Sequence, residues 1–178
     1  DRTYFPEDGS LSQLWVEYNL AGKLEEAEVN GANLETDGNW AIGGKVHKTF
    51  KLGKHLWLDA SAGAGHSQMK EDHPLLRFYL GREIPNHHRF YELYGFRLSE
   101  LRVSTFGFGR IQLRAEVGNN NYLALGYNQG FAGLIIDGKT LEETELSGLG
   151  LELGSVTQLG PLRFTAEYNL DFERFNFS

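Results

Sequence analysis

Hydrophobic and ionisable residues alternate with a period of two over most of this chain. The clearest run is Arg110-Ile111-Gln112-Leu113-Arg114-Ala115-Glu116-Val117. Ile111, Leu113, Ala115 and Val117 point one way; Arg110, Gln112, Arg114 and Glu116 point the other. A second run is Leu162-Arg163-Phe164-Thr165-Ala166-Glu167-Tyr168-Asn169-Leu170. Side chains alternate faces along a strand, so each run predicts a strand with one apolar and one charged wall.

The same reading predicts about eight strands and the start of a ninth. They run over Ser10–Leu20, Asn39–Lys51, His55–Gly65, Leu75–Gly81, Val103–Val117, Tyr122–Gly130, Thr144–Leu159 and Leu162–Leu170, and the ninth begins in Phe172–Ser178. Arg82 to Arg102 has no clear alternation. Lys51 to His55, Gly118 to Asn121 and Gly160-Pro161 read as short turns. Ala21 to Gly38, the stretch after Gly65, and Phe131 to Glu143 read as long loops. Short turns on one side and long loops on the other are the arrangement of an outer-membrane barrel.

Composition narrows the class. The chain has 178 residues, 23% charged and 40% hydrophobic, which argues against disorder. Its net charge of −7 and lack of a basic stripe argue against a general nucleic-acid binder. There is no cysteine, so disulfides, thiol catalysis and cysteine-ligated metal are excluded. No apolar run approaches the ~20 residues of a spanning helix, but barrel strands need only ~9–11. The minority face carries Glu17, Lys45, His47, Asp59, Arg77, Arg110, Arg114, Glu116, Glu152, Arg163 and Glu167. A soluble barrel would pack Leu113, Leu151 and Phe164 in a dry centre and turn Arg114 and Glu167 to solvent. A membrane barrel does the reverse. With no helix to cover so large an apolar face, the pattern favours an all-β, antiparallel transmembrane barrel. A soluble lipocalin-like binding barrel is the alternative. The chain opens at Asp1 and stops in mid-alternation, so residues 1–178 read as one barrel domain, incomplete at both ends.

Asp1-Arg2-Thr3-Tyr4-Phe5-Pro6-Glu7-Asp8-Gly9-Ser10 resembles the lead into a strand found in the outer-membrane assembly and two-partner-secretion (bacterial surface antigen) superfamily. Gly148-Leu149-Gly150-Leu151-Glu152, followed by Leu159-Gly160-Pro161-Leu162-Arg163-Phe164, is similar to that superfamily's penultimate hairpin. Phe78-Tyr79-Leu80-Gly81 stands where members have an aromatic-rich Leu-Gly-Gly strand end. The resemblance implies a sixteen-stranded barrel, of which this chain is the C-terminal half. It also implies that His88 to Phe96 is a loop folded back into the lumen, with Arg89, Glu92, Tyr94, Gly95 and Phe96 in it and Arg97 directly after it. Assembly factors and secretion pores carry Val-Arg-Gly-Phe or Val-Arg-Gly-Tyr there. Leu93-Tyr94-Gly95-Phe96-Arg97 has no Arg before Gly and looks more like the barrels of Bacteroidetes patatin-like phospholipases. The resemblance therefore implies a barrel that anchors, displays or translocates a linked lipase-type domain across the outer membrane. An insertase or secretion pore of the same superfamily is the alternative. The implied partners are outer-membrane lipid and lipopolysaccharide, an N-terminal barrel half or second subunit, and an upstream passenger domain.

No catalytic site is expected in these residues. A patatin hydrolase needs a Ser in Gly-x-Ser-x-Gly, and the chain has none. Asp8-Gly9-Ser10 and Asp137-Gly138-Lys139 read as turns. His66, His73, His87 and His88 lie in or near predicted loops, and adjacent His87-His88 cannot face one way in an extended chain. They read as loop residues, not metal ligands. Glu25, Glu26, Glu28, Glu142, Glu143 and Glu145 read as solvated loop acids, and no cofactor is expected. Trp15, Trp40 and Trp57 read as girdle residues or lumen fillers. The strongest constellation is a lumen charge network of Arg110, Arg114, Glu116, Glu152, Arg163 and Glu167, expected to pair across strands and hold the infolded loop.

Overall fold

The computed structural model describes residues 9–19, 39–68, 77–81, 88–97, 100–118, 120–136, 138–157 and 160–177. All their regular structure is β. The main sheet is antiparallel and runs in the order β1 (Gly9–Asn19), β2 (Asn39–Gly53), β3 (Leu56–Gln68), β7 (Thr105–Glu116), β8 (Asn121–Ile136), β10 (Gly148–Thr157), β11 (Gly160–Asn169) and β12 (Arg174–Phe177). A further strand, β9 (Lys139–Glu145), pairs with the far end of β8. Phe131↔Glu145 and Asn128↔Gly148 lie in the same register, so β9 and β10 run as one strand interrupted at Leu146-Ser147. Among the described residues β1 and β12 each pair on one side only, and the sheet is not closed.

A small second sheet has β4 (Phe78–Gly81) at its centre, with β5 (Phe90–Glu92) parallel and β6 (Leu101–Val103) antiparallel to it. It covers one face of the main sheet. The chain leaves it at Ser104 and turns directly into β7. Ser104 is buried, its amide donates to Gly133 O at 3.0 Å, and the Ile135 amide donates to its hydroxyl at 2.7 Å. These bonds satisfy the backbone where it crosses from one sheet to the other.

The two faces of the main sheet differ as the alternation predicts for a membrane wall. On the bare face Leu113 is 44% exposed and Phe164 64%, with Leu14, Val46, Leu125 and Leu151 also exposed. On the covered face Arg114 is 7% exposed and Glu167 5%. This is the opposite of a soluble barrel's dry apolar centre.

Three sequence expectations need correction. Leu75–Gly81 was expected to be a wall strand, but its described part is β4 of the second sheet. Phe78 and Leu80 are fully buried there. Four alternating residues cannot tell a lipid-facing strand from one whose apolar side meets another sheet. Phe131 to Glu143 was expected to be a loop; its described residues extend β8 and form β9, with Gly138 at φ 70° in the connection. Its polar β9 sequence lacks the apolar stripe that marks a half-buried strand. Arg82 to Arg102, which has no clear alternation, nevertheless holds the short strand β5 and most of β6. The predicted motif at 1–8, the loop at 21–38, and His73 and His87 lie outside the described residues.

Candidate functional site

The segment Arg89–Arg97 lies against the covered face, and its two sides are held by different chemistry. The apolar side belongs to a core of Phe78, Leu80, Tyr91, Leu93, Phe96, Val103, Phe106, Ala132 and Leu146, with Trp15 and Phe108 packed against it. Ring centroids lie 4.4 Å apart for Tyr91–Phe106, 4.9 Å for Phe78–Phe106 and 5.5 Å for Trp15–Phe78. Tilted aromatic pairs at such distances add to the stabilisation from buried area. Phe106, Phe108 and Trp15 occupy covered-face positions of β7 and β1. The sheet thus offers the segment an aromatic patch at one end of its charged face.

The polar side centres on Glu92. Arg110 Nη1 donates to Glu92 Oε2 at 2.7 Å, and Arg163 Nη2 donates to Glu92 Oε1 at 2.9 Å. One carboxylate of the docked segment therefore ties β7 to β11. Arg163 also meets Glu152 Oε2 at 2.8 Å, and the Tyr122 hydroxyl donates to Glu152, which carries the network into β10 and β8. Burial alone would raise the Glu92 carboxyl pKa; the Arg110 and Arg163 guanidiniums outweigh it and hold the group down at about 2.

Tyr94 and Gly95 are held by both backbone and ring. The Tyr94 amide donates to Asn128 Oδ1 at 2.6 Å, and the Gly95 amide donates to Glu167 Oε2 at 3.1 Å. The Gly95 carbonyl accepts from Asn176 Nδ2 at 2.8 Å and Asn169 Nδ2 at 3.3 Å. Gly95 has φ 84°, and a Cβ there would lie 2.8 Å from Asn169 Cα, so both conformation and space call for glycine. The Tyr94 ring lies over Gly126 and Gly150, which face each other across β8 and β10. A Cβ on either would come within 2.2 Å of the ring. On the ring itself, the Arg110 guanidinium sits 4.4 Å from the centroid, a cation–π contact, and donates to the hydroxyl at 3.1 Å.

Of the expected network residues, Arg110, Glu152 and Arg163 come together around Glu92. Arg114 pairs instead with Asp59 of β3, Nε to Oδ2 at 3.6 Å, and Thr49 donates to the same carboxylate at 2.6 Å. Glu116 sits at the turn end, where it meets His55 Nδ1 at 2.7 Å, both exposed. Glu167 binds the Gly95 amide. In the docked segment Arg89 pairs with Glu17 and lies 5.3 Å over the Trp15 ring, and Phe96 is buried 6.4 Å from Phe172. Arg97 is exposed; its Nε donates to Asn176 at 3.3 Å and its amide to Glu100 at 2.7 Å.

Sequence reasoning missed Asn128, Asn169 and Asn176 as holders of the segment, and Gly126 and Gly150 as the seat of Tyr94. Their covered-face parity was readable, but which backbone they meet was not. Among the predicted histidines, His66 lies on the bare face, 2.7 Å from the Thr105 hydroxyl, and His88 reaches Glu17 at 3.4 Å. Among the described residues no three His, Asp or Glu side chains converge as a metal site would need. Glu142, Glu143 and Glu145 are exposed along β9. Trp15 and Trp57 lie on the covered face, and Trp40 lies beside His66 at 5.4 Å.

A wall apolar on its bare face, charged on its covered face and filled there by a docked segment is the construction of an outer-membrane β-barrel. A family model described as the OMP85 superfamily matches residues 1–177, and the chain belongs to that superfamily of outer-membrane barrels. No curated protein and no solved structure matches the chain.

Proposed function

We propose that this sheet is part of the wall of an outer-membrane barrel that anchors, displays or translocates a linked domain of the patatin-like lipase type. The bare face meets hydrocarbon and the docked segment occupies the lumen. The observation that carries this reading is the sidedness of the main sheet: large apolar side chains are exposed on one face while Arg110, Arg114, Glu152 and Glu167 are covered on the other. The lipase-type passenger is supported more narrowly, by Leu93-Tyr94-Gly95-Phe96, where Tyr94 replaces the Arg of assembly factors. Arg89–Arg97 is the infolded loop and Arg110–Glu92–Arg163 its clamp. These residues supply no covalent chemistry of their own. The edges of β1 and β12 that stand open among the described residues are closed by further strands, from an N-terminal barrel half or a second subunit, because an open edge invites aggregation.

Membership of the superfamily also favours a second reading, an insertase or secretion pore. Two observations test these readings. A full-length protein that stays monodisperse in plain buffer, without detergent, overturns the membrane wall. The complete open reading frame then discriminates: a lipase domain upstream supports anchoring, and repeated small α/β domains support assembly or secretion.

A further inference from the structure

On the paired strands other than β9, the described residues of the bare face carry one ionised side chain, Lys48. It stands in β2 between Val46 and Phe50, and its ammonium lies 4.9 Å from the Phe50 ring centroid. No described carboxylate lies within ion-pair distance of it. A lysine on the lipid face of a barrel costs about 2–4 kcal/mol at the midplane and less near the interfaces, so its position needs a reason.

Two features of the surroundings supply one. Lys48 shares a register line with Ser10, Ala60, Ile111 and Tyr127, one side chain from each of five adjacent strands. Beside that line the face dips into a recess of about 610 Å³ whose lining includes Ser12, Ala60, Ala62, Gly109 and Gln129. The small residues Ala60, Ala62 and Gly109 share the lining with Val46, Phe50 and Ile111, and Lys48, Ser12 and Gln129 bring polar groups to it. The Tyr127 hydroxyl donates to Gln129 Oε1 at 3.1 Å, which orients that amide. A cation and neutral donors beside an apolar trough match an amphiphile with an anionic head and a hydrocarbon tail.

Height on the wall selects which amphiphile. Lys48 lies five residues before the end of β2 at Gly53, on the side of the short β2–β3 and β7–β8 turns. Short turns of outer-membrane barrels face the periplasm. A lysine stem extends toward the interface while its methylenes stay in hydrocarbon. We infer that Lys48 and the recess bind one anionic glycerophospholipid of the periplasmic leaflet, phosphate on the ammonium and acyl chain over Ala60, Ala62 and Gly109. This rests on the membrane-wall reading above.

The test uses the full-length protein in nanodiscs of equimolar phosphatidylcholine and phosphatidylglycerol, with retained lipid read by native mass spectrometry. The wild type is expected to retain phosphatidylglycerol over phosphatidylcholine by about fivefold, the factor one basic residue near a membrane surface contributes. K48Q should lose that preference and K48R should keep it. Equal retention by wild type and K48Q overturns the lipid site. So does a preference that appears only when lipid A replaces phosphatidylglycerol, or a dimer that K48Q dissociates. Failure of both proteins to enter nanodiscs of phosphatidylcholine alone overturns the membrane wall itself, which keeps the two failures distinct.

Discussion

The bare and covered faces of the main sheet are built from the same strands, yet they solve opposite problems. On the bare face, residues such as Leu113, Leu151 and Phe164 need no specific neighbour; any apolar surroundings serve. On the covered face the charged groups around the docked segment meet specific partners, because an unmatched charge there is costly. The bare face is consequently tolerant of shape and intolerant of charge. The covered face is tolerant of charge only where geometry supplies its complement, and it is intolerant of shape where glycines seat a ring. Specificity in this molecule is concentrated on one side of the sheet.

That contrast can be broken from the covered side first. Glu92→Gln leaves Arg110 and Arg163 facing each other without their shared carboxylate. Breaking a fully buried pair costs about 3–5 kcal/mol; Arg163 is half exposed and keeps Glu152, so the loss here should lie near the low end of that range. Urea unfolding of the protein in detergent should show it, together with faster proteolysis after Arg97. The wild-type clamp should also depend on pH. The Glu92 pKa is depressed from 4.5 to about 2, so its contribution is complete above 4.5 and fades as pH falls toward 2. An unchanged unfolding midpoint across that window in the wild type would remove Glu92 from the clamp.

A charge on the opposite face comes next. Val46→Arg, midway along β2 and exposed on the bare face, should cost about 2–4 kcal/mol in a bilayer, read as folding free energy in lipid vesicles. A conservative Val46→Ile change should move it far less. If the arginine were neutral in vesicles, the bare face would not meet hydrocarbon. The smallest effect sharpens the shape argument. Gly150→Ala places a methyl group where the Tyr94 ring lies and should cost about 1–3 kcal/mol, as overpacking does. Ring displacement should appear as loss of protection for the Tyr94 amide in hydrogen exchange. In a Tyr94→Ala background the same glycine change should cost much less, since the clash then vanishes.

Much of the wall could be read without coordinates. Ile111, Leu113 and Val117 against Arg110, Arg114 and Glu116 fix which residues share a face, since pleating forces side chains to alternate. The Gly118–Asn121 turn was equally plain from its composition. The second sheet was not legible: Phe78 and Leu80 carry the same alternation as lipid-facing residues, and β5 and β6 are too short to show a period. Partner choice in the site was only partly legible. Arg110 and Arg163 were seen as lumen charges, but Arg114 went to Asp59 and Glu116 to His55, because register and height along the strand decide who meets whom.

The order of residues by itself determined an all-β wall with one oily and one charged side, because a period of two is a local property of the extended chain. Only the folded arrangement decided that Glu92 would join two arginines from separate strands and that Tyr94 would rest on Gly126 and Gly150. Those contacts join residues many positions apart, and no local rule fixes how strands from distant parts of the chain align.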